Sequence, residues 1–307
     1  MAAGLDAAQG LTRNGPGGRR RLGGALWRRR WLKAVSLLSP PVLAFLVVYI
    51  SALVALFISS FWTVDSFTGK IVHTWSLDNF RTLVDDPVYR RIAFRTIWIA
   101  AAVTVTDAIL AFPLAYFMAR LATSRMRALL FVLVLLPLWT SYLVRIYAWR
   151  LILAKQGALN WALNGIGLPD ANLAYTNKAM WIVFSYVWLP FMVLPVYAAL
   201  ERIPQSYLEA SQDLGARTFR TFRTVILPLA LPGLVAGSIF TFSLTLGDFI
   251  TPALVGGADS QFIGNVVHNY VGISNNVPLA AAFATLPVIV MAVYLVVAKR
   301  LGAFEAL

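Results

Sequence analysis

The sequence contains no cysteine and only two histidines, His73 and His268. Disulfides, thiolate metal sites and cysteine nucleophiles are therefore excluded, and two scattered imidazoles are too few for a metal cage. Charge is scarce too: 13% of residues are Asp, Glu, Lys or Arg, about half of the roughly 25% found in soluble domains. With 59% of 307 residues apolar, no polar shell can cover the chain, which excludes a water-soluble globular protein. Missing motifs narrow the chemistry further. The one Gly-Lys pair, Gly69-Lys70, lacks both the upstream glycine and the following hydroxyl of a G-x-x-x-x-G-K-[ST] phosphate loop. There is no H-E-x-x-H, no G-x-S-x-G and no close pair of carboxylates inside an apolar run. Neither ATP hydrolysis nor an intramembrane hydrolase is expected of this chain.

Long apolar runs take the place of these features. From Ala34 to Val64, 31 residues carry no charge, far more than the roughly 7 to 15 residues of a signal-peptide core. A retained first span is expected at 40–62. Low-charge stretches follow at 96–119, at 128–144 with an extension to about Leu153, and at 179–200, 224–247 and 279–298. Each approaches the roughly 20 helical residues that cross a hydrocarbon core of about 30 Å. The fold class expected is an all-α membrane protein with six transmembrane helices. Residues 249–278, interrupted by Gly256-Gly257, Gly264, Gly272 and Pro278, are expected to form a partly buried connection of short pieces.

A formal net charge of +13 suggests nucleic acid until the cations are located, for they flank the apolar runs and point to membrane lipid instead. Eight lie in the N-terminal tail, three in 120–127, four in 201–223, and two at Lys299 and Arg300. Because cations near span ends are retained inside, both termini are expected to be cytoplasmic. The opposite side holds Lys70, Arg81, Arg90, Arg91, Arg95, Lys155 and Lys178, with Arg145 and Arg150 at the outer part of the third helix. Trp62, Trp98, Trp149 and Trp181 fall near the proposed outer ends, as interfacial aromatics do. The first twenty residues, rich in Gly and Ala, read as disordered.

The inner segment ERIPQSYLEASQDLGARTFRTFRTVILP (201–228) is long and mixed in charge. A short helix over 209–214 is expected, with Ser206 as its N-cap, Glu209 completing a capping box, and Gly215 as a stop or a point of close backbone approach. Pro228 and Pro232 mark the entry to the fifth span. On physics alone, the segment is equally well a solvated hairpin.

Glu209-Ala210-Ser211, Gly215 and Val225-Ile226-Leu227-Pro228 resemble the E-A-A-x-x-x-G-x9-I-x-L-P signature of permease subunits of binding-protein-dependent ABC importers, with Ser211 and Val225 as conservative departures. The resemblance implies a type I permease fold over residues 36–303, preceded by a basic tail at 1–35, in a multi-pass protein of the bacterial cytoplasmic (inner) membrane. It implies that 201–228 is a coupling loop docking on separate ATPase subunits. Glu209, Ala210, Ser211, Asp213, Leu214, Gly215 and Phe219 would then form the contact, with small residues allowing approach, apolar ones filling it and acids rimming it. The partners implied are two ATP-binding subunits, a second homologous permease and an extracytoplasmic substrate-binding protein. ATP and Mg would be held by those ATPases, with no cofactor in this chain. A narrower resemblance, carried by SYLVRIYAWRLIL (141–153), GALNW (157–161), LGDFITPALVGG (246–257) and FIGN (262–265), is to spermidine/putrescine permeases, and implies a polyamine substrate. Relatives for other organic cations, amino-acid derivatives or metal complexes share much of it.

Five residues are candidates for the substrate path. Asp107 would cost about 2.5 to 3.5 kcal/mol facing lipid, so it is expected to face the bundle or a wet path, for function or for pairing. Asp248 either meets a cationic substrate, caps the next turn through Thr251, or pairs with Arg145. Tyr142, Trp149 and Trp188 are candidate cation-π walls, with interface and packing roles as the alternative. Arg145 and Arg150 are expected to snorkel to the outer surface. Two rival readings remain: an autonomous secondary transporter, which would need its own coupling-ion site, and a membrane enzyme, which would need a catalytic constellation.

Overall fold

The computed structural model describes residues 30–65 and 67–300, less the side chains of Arg30, Leu32 and Lys33. The expected tail disorder, the tail arginines up to Arg29 and the end of the 36–303 domain lie outside the described residues. The described chain divides into two units between Leu56 and Phe57. The first is most of helix α1, Arg30–Ser59, which carries Pro40 and Pro41; from Ala34 on, it is long and apolar enough to cross a membrane.

The second unit opens with the last turn of α1. Asn79 donates from its side-chain amide to the carbonyls of Ser60 and Trp62, 2.8 Å each, so carbonyls beyond the last turn of α1 have a partner. This ends the helix at Ser59 rather than at the expected Trp62. A two-residue antiparallel pair, β1 (Thr63–Val64) with β2 (Ile71–Val72), precedes α2 (Asp78–Asp85). Asp86 then caps α3, Pro87–Tyr116: its carboxylate accepts from Val88 N at 2.8 Å, and Pro87 occupies the first helical position, where no N–H is needed. A π-helical turn, Phe117–Leu121, prolongs α3.

The expected third span is broken. Helix α4 (Ser124–Leu135) passes into a 3₁₀ turn, Leu136–Trp139, and α5 (Tyr142–Ile152) leaves at 95° to it. Pro137 removes a backbone donor, and Thr140 turns its hydroxyl back onto the Pro137 carbonyl at 2.8 Å, satisfying locally what a continuing helix would have used. The described residues thus contain five single-helix candidate spans, and six if the bent pair counts as one.

After α6 (Ala158–Gly165), α7 (Asn177–Arg202) runs through Pro190 and Pro195 without a break. The loop helices α8 (Gln205–Asp213) and α9 (Thr218–Thr221) follow, then a π-helical turn, Phe222–Ile226, and α10 (Leu227–Gly247). The fifth span therefore starts at Thr218, before the expected 224, because the wider π turn accommodates Pro228, whose ring would clash with the carbonyl one turn back. The 249–278 connection contains α11 (Ile250–Val255) and α12 (Ile263–Gly272), and α13 (Val277–Arg300) closes the described chain.

Helices α3, α7 and α10 form the centre of this unit. Ala111, Ala115 and Met118 pack with Met192, Val196, Leu200 and Ala230, all fully buried. Backbone approach sets how tightly α10 meets α7. A Cβ on Gly233 would lie 2.5 Å from Ala199 Cβ and 2.6 Å from the Pro195 carbonyl, and one on Gly237 would lie 2.6 Å from Met192 Sδ and 3.0 Å from its Cα. Gly233 and Gly237 are a G-x-x-x-G pair, the spacing that lets two helices in lipid touch backbone to backbone. Replacing Gly233 by Val is expected to destabilise the protein by about 1 to 3 kcal/mol through overpacking. Gly247→Ala, where a Cβ meets nothing within 4 Å, should be neutral; thermal unfolding midpoints of the two variants in detergent check this.

Candidate functional site

Two places hold the expected site residues. The first is the loop between α7 and α10. Ile203, the residue before Pro204, is extended as that position demands, and Pro204 itself has φ −62° and ψ 139°. Helix α8 therefore starts at Gln205 with Pro204 as its cap, and Ser206 is not the expected N-cap. Its far end matches the expected stop. Gly215 has φ +74°, its N–H donates to Gln212 O at 2.8 Å, and Ala216 N donates to Ser211 O at 3.1 Å. This is a Schellman ending, which favours glycine in the left-handed conformation. A Cβ on Gly215 would meet nothing within 4 Å, so conformation, not crowding inside this chain, accounts for the glycine.

Ser211, the departure from the second alanine of the motif, is buried, and its hydroxyl bonds the buried Thr221 hydroxyl at 2.9 Å. That bond ties α8 to α9. Leu214 is 88% exposed and Phe219 74%, so the turn presents two large apolar side chains, with Glu209 and Asp213 exposed nearby in α8. The loop is anchored at its base. Arg120 donates to the carbonyls of Leu200 and Ile203 at 2.6 and 2.5 Å, capping α7. Arg127 donates to Met118 O at 3.0 Å and pairs with Glu201 at 3.7 Å. A cavity of about 320 Å³ lies between the ends of α7 and α10 and the first turn of α8, with Tyr207 and Gly233 both on its wall.

The second place is the junction of α10 and α11. Asp248 ends α10 and is buried. One carboxylate oxygen accepts from Ile250 N at 2.8 Å and from Thr251 N at 3.5 Å; the other accepts from the Thr251 hydroxyl at 2.7 Å and from the Tyr142 hydroxyl. Of the three expected roles for Asp248, the geometry realises the capping one through Thr251, and no ion pair with Arg145 forms among the described residues. Tyr142 also stacks on Trp188, with ring centroids 5.6 Å apart. Trp149 sits in the same apolar cluster but pairs with Tyr186 at 5.2 Å.

Arg145 departs from expectation. Its guanidinium carbon stands 5.8 Å from the Tyr142 ring centroid, and Nε and Nη1 are buried without a hydrogen-bond partner, as is Trp188 Nε1. The 95° bend turns α5 away from the line of α4, and the half-buried Arg145 leans on the Tyr142 ring instead of extending freely to the surface. Arg150 does reach outward, donating to the Tyr175 hydroxyl at 3.1 Å. Asp107 stands apart from this array. It is fully buried, with both carboxylate oxygens unpartnered. The Ser185 hydroxyl lies beside it without closing a hydrogen bond.

The structure thus brings Tyr142, Trp188 and Asp248 together, sets Trp149 alongside, and leaves Asp107 separate. Sequence reasoning missed Thr251 as a second ligand of the tyrosine, Ser211–Thr221 as a tie, and the Gly233/Gly237 contact; only the last had a signal in spacing.

Residues 111–303 match the family model described as binding-protein-dependent transport system inner membrane component. The chain is 46% identical to the inner membrane ABC transporter permease protein YdcU of Escherichia coli K12, covering 99% of both sequences. It is 34% identical to the spermidine/putrescine transport system permease protein PotB of the same organism, over 79% of this chain and 88% of that protein. Among solved structures, a bacterial alginate ABC transporter in complex with an alginate pentasaccharide-bound periplasmic protein has a chain that matches with a TM-score of 0.71 and 17% identity, over 93% of this chain and 98% of that one. That likeness is one of fold.

The Ser211–Thr221 bond generates a local test. In Ser211→Ala, the Thr221 hydroxyl loses its partner, lowering the opening free energy of this turn by about 1 kcal/mol. Hydrogen exchange of amides 216–221 should accelerate while α7 is unchanged; unaltered exchange would show that the bond does not hold the turn.

Proposed function

The chain belongs to the binding-protein-dependent ABC importer permeases of the inner membrane, transport components rather than enzymes, and from that premise we propose that it forms half of a translocation path for polyamines. Membership implies ATPase subunits and a periplasmic binding protein as partners. In the proposed assembly, this chain pairs with a second, homologous permease and two ATP-binding subunits that hold ATP and Mg. In this reading the bent pair counts as the third of six spans, so both termini lie on one side, and the distribution of cations supports the cytoplasmic side.

Residues 201–228 are the coupling segment in this reading. Movement of an ATPase is transmitted only if the loop resists bending. The Schellman end, the Ser211–Thr221 bond and the Arg120 cap support such stiffness. Exposed Leu214 and Phe219 supply the apolar centre of the contact, and Glu209 and Asp213 its rim.

The observation that carries the substrate is the similarity to PotB over 79% of the chain. Tyr142, Trp149 and Trp188 would line the path, each aromatic face worth about 0.5 to 2 kcal/mol to an ammonium group. Asp248 would join them only when Tyr142 and Thr251 release it, and Asp107 would serve deeper in the path. One observation favours a second reading. The unmet groups beside Tyr142 are donors, Arg145 Nε and Nη1 and Trp188 Nε1, which suit a substrate carrying its own acceptor, such as an amino-acid derivative.

An uptake panel in proteoliposomes holding the whole importer separates these readings. Spermidine and putrescine should be taken up in an ATP-dependent manner, with Asp107→Asn and Asp248→Asn slowing uptake. Preferred uptake of an ω-amino acid, lost in Arg145→Gln, would overturn the polyamine assignment and support the second reading.

For coupling, Gly215→Val forces a left-handed φ on a β-branched residue, and Glu209→Lys reverses a rim charge. Both variants should insert normally yet lose ATPase association and uptake. Normal association in both would reduce the segment to a connector.

A further inference from the structure

Seven cations on the side assigned to the outside are not used by the proposed coupling or substrate path, and three of them meet in one groove. Between α3 and α7 lies a cavity of about 590 Å³ lined towards the start of both helices by Arg91, Arg95 and Lys178, with Phe94 among them, and further along by Trp98 and Trp181. We propose that this groove binds an anionic phospholipid, its phosphate held by Arg91 and Lys178 and an acyl chain lying along the aromatic wall.

The order of residues along α3 carries the argument. Arg91, Arg95, Trp98 and Ala102 recur at helical spacing and line one groove. From Arg91 to Ala102 the helix rises about 16 Å, close to half of a hydrocarbon core of about 30 Å. The cations of α3 take up about the first 6 Å of that rise and the apolar wall runs about 10 Å further inward, which is the polarity of a lipid and not of a free anion. Phe94 is 71% exposed and Trp98 64%, both on α3, a helix long and apolar enough to cross a membrane. On the α7 wall, Trp181 is held by its Nε1 donating to Thr106 Oγ1 at 3.0 Å, which joins the two helices below the charged end.

The charges at the mouth are unequal in their commitments. Arg95 is spent on a loop above the groove, donating to the Gln261 carbonyl at 2.8 and 3.2 Å and to the Asp259 carbonyl, with the Asp259 carboxylate close by. Ser260, in the same loop, donates to Asn177 Oδ1 at 2.8 Å, so residues 259–261 hold the two helix starts together. Arg91 and Lys178 are exposed, and among the described residues they have neither ion pair nor hydrogen bond. Arg91 also stands near enough to Arg95 to repel it. Two uncompensated cations beside a third, over exposed aromatic rings, match a phosphate diester with its tail.

The test uses the full-length chain in nanodiscs holding equal amounts of phosphatidylglycerol and phosphatidylcholine, with retained lipid measured by native mass spectrometry after extraction. Wild type should retain phosphatidylglycerol by roughly tenfold or more, a preference two surface cations support. Arg91→Gln with Lys178→Gln should bring the ratio near parity. Arg81→Gln, a cation paired with Asp78 on α2 outside the groove, should leave it unchanged. Trp98→Ala should lower retention of both lipids while keeping the preference, and millimolar inorganic phosphate should not displace the lipid. Equal retention by wild type, an unchanged ratio in the double variant, an equal loss in Arg81→Gln, or displacement by phosphate alone would each overturn the proposal. So would loss of binding-protein docking in the double variant in lipid-free detergent, which would make the groove a protein contact. None of these outcomes bears on the substrate.

Discussion

In hydrocarbon, two apolar helices gain little by burying leucine against leucine, so their association rests on how closely the backbones approach. At Gly233 and Gly237, α10 lies against Pro195, Ala199 and Met192 of α7 with no room for a side-chain carbon. The rest of the second unit is arranged on this contact. Helix α3 adds small buried residues, Ala111 and Ala115, to the same core, and both ends of the α7–α10 pair carry the chain's distinctive chemistry.

At one end the two helices are joined by the loop that holds the motif. Its stiffness comes from local bonds whose partners are distant in sequence or structurally constrained: Arg120 reaching 80 residues along the chain to the Leu200 carbonyl, and Gly215 in a conformation closed to most side chains. These bonds tie the loop to the end of α7. The cavity shared by Tyr207 and Gly233 lies where the loop helix and the tight crossing meet.

Towards the other end Tyr142, Arg145, Trp188 and Asp248 come together, with Asp107 apart from them on α3, and the states of these polar groups differ. Asp248 is saturated with donors, whereas Arg145, Trp188 and Asp107 hold buried polar atoms without partners. Burying a polar group without a hydrogen bond costs free energy in any apolar medium. Their unmet capacity differs in chemistry: donors beside Tyr142, and an acid by Ser185.

Periodicity and composition alone made the membrane class, the positions of most spans and the loop motif legible, because about 20 apolar residues and a scarcity of charge leave few alternatives in lipid. Pairings were a different matter. That Tyr142 bonds Asp248, 106 positions away, follows from a 95° bend that Pro137 and Thr140 introduce inside an unbroken apolar run. Hydropathy averaged over such a run is blind to one missing backbone donor. For the same reason Arg145 reads as a surface anchor in sequence and lies half-buried against the Tyr142 ring in the fold. Residue types and spacing determined what this chain is made to do. Which buried groups are satisfied, and which are left with capacity to bind, was decided by tertiary structure, since a hydrogen bond depends on a distance that no local pattern encodes.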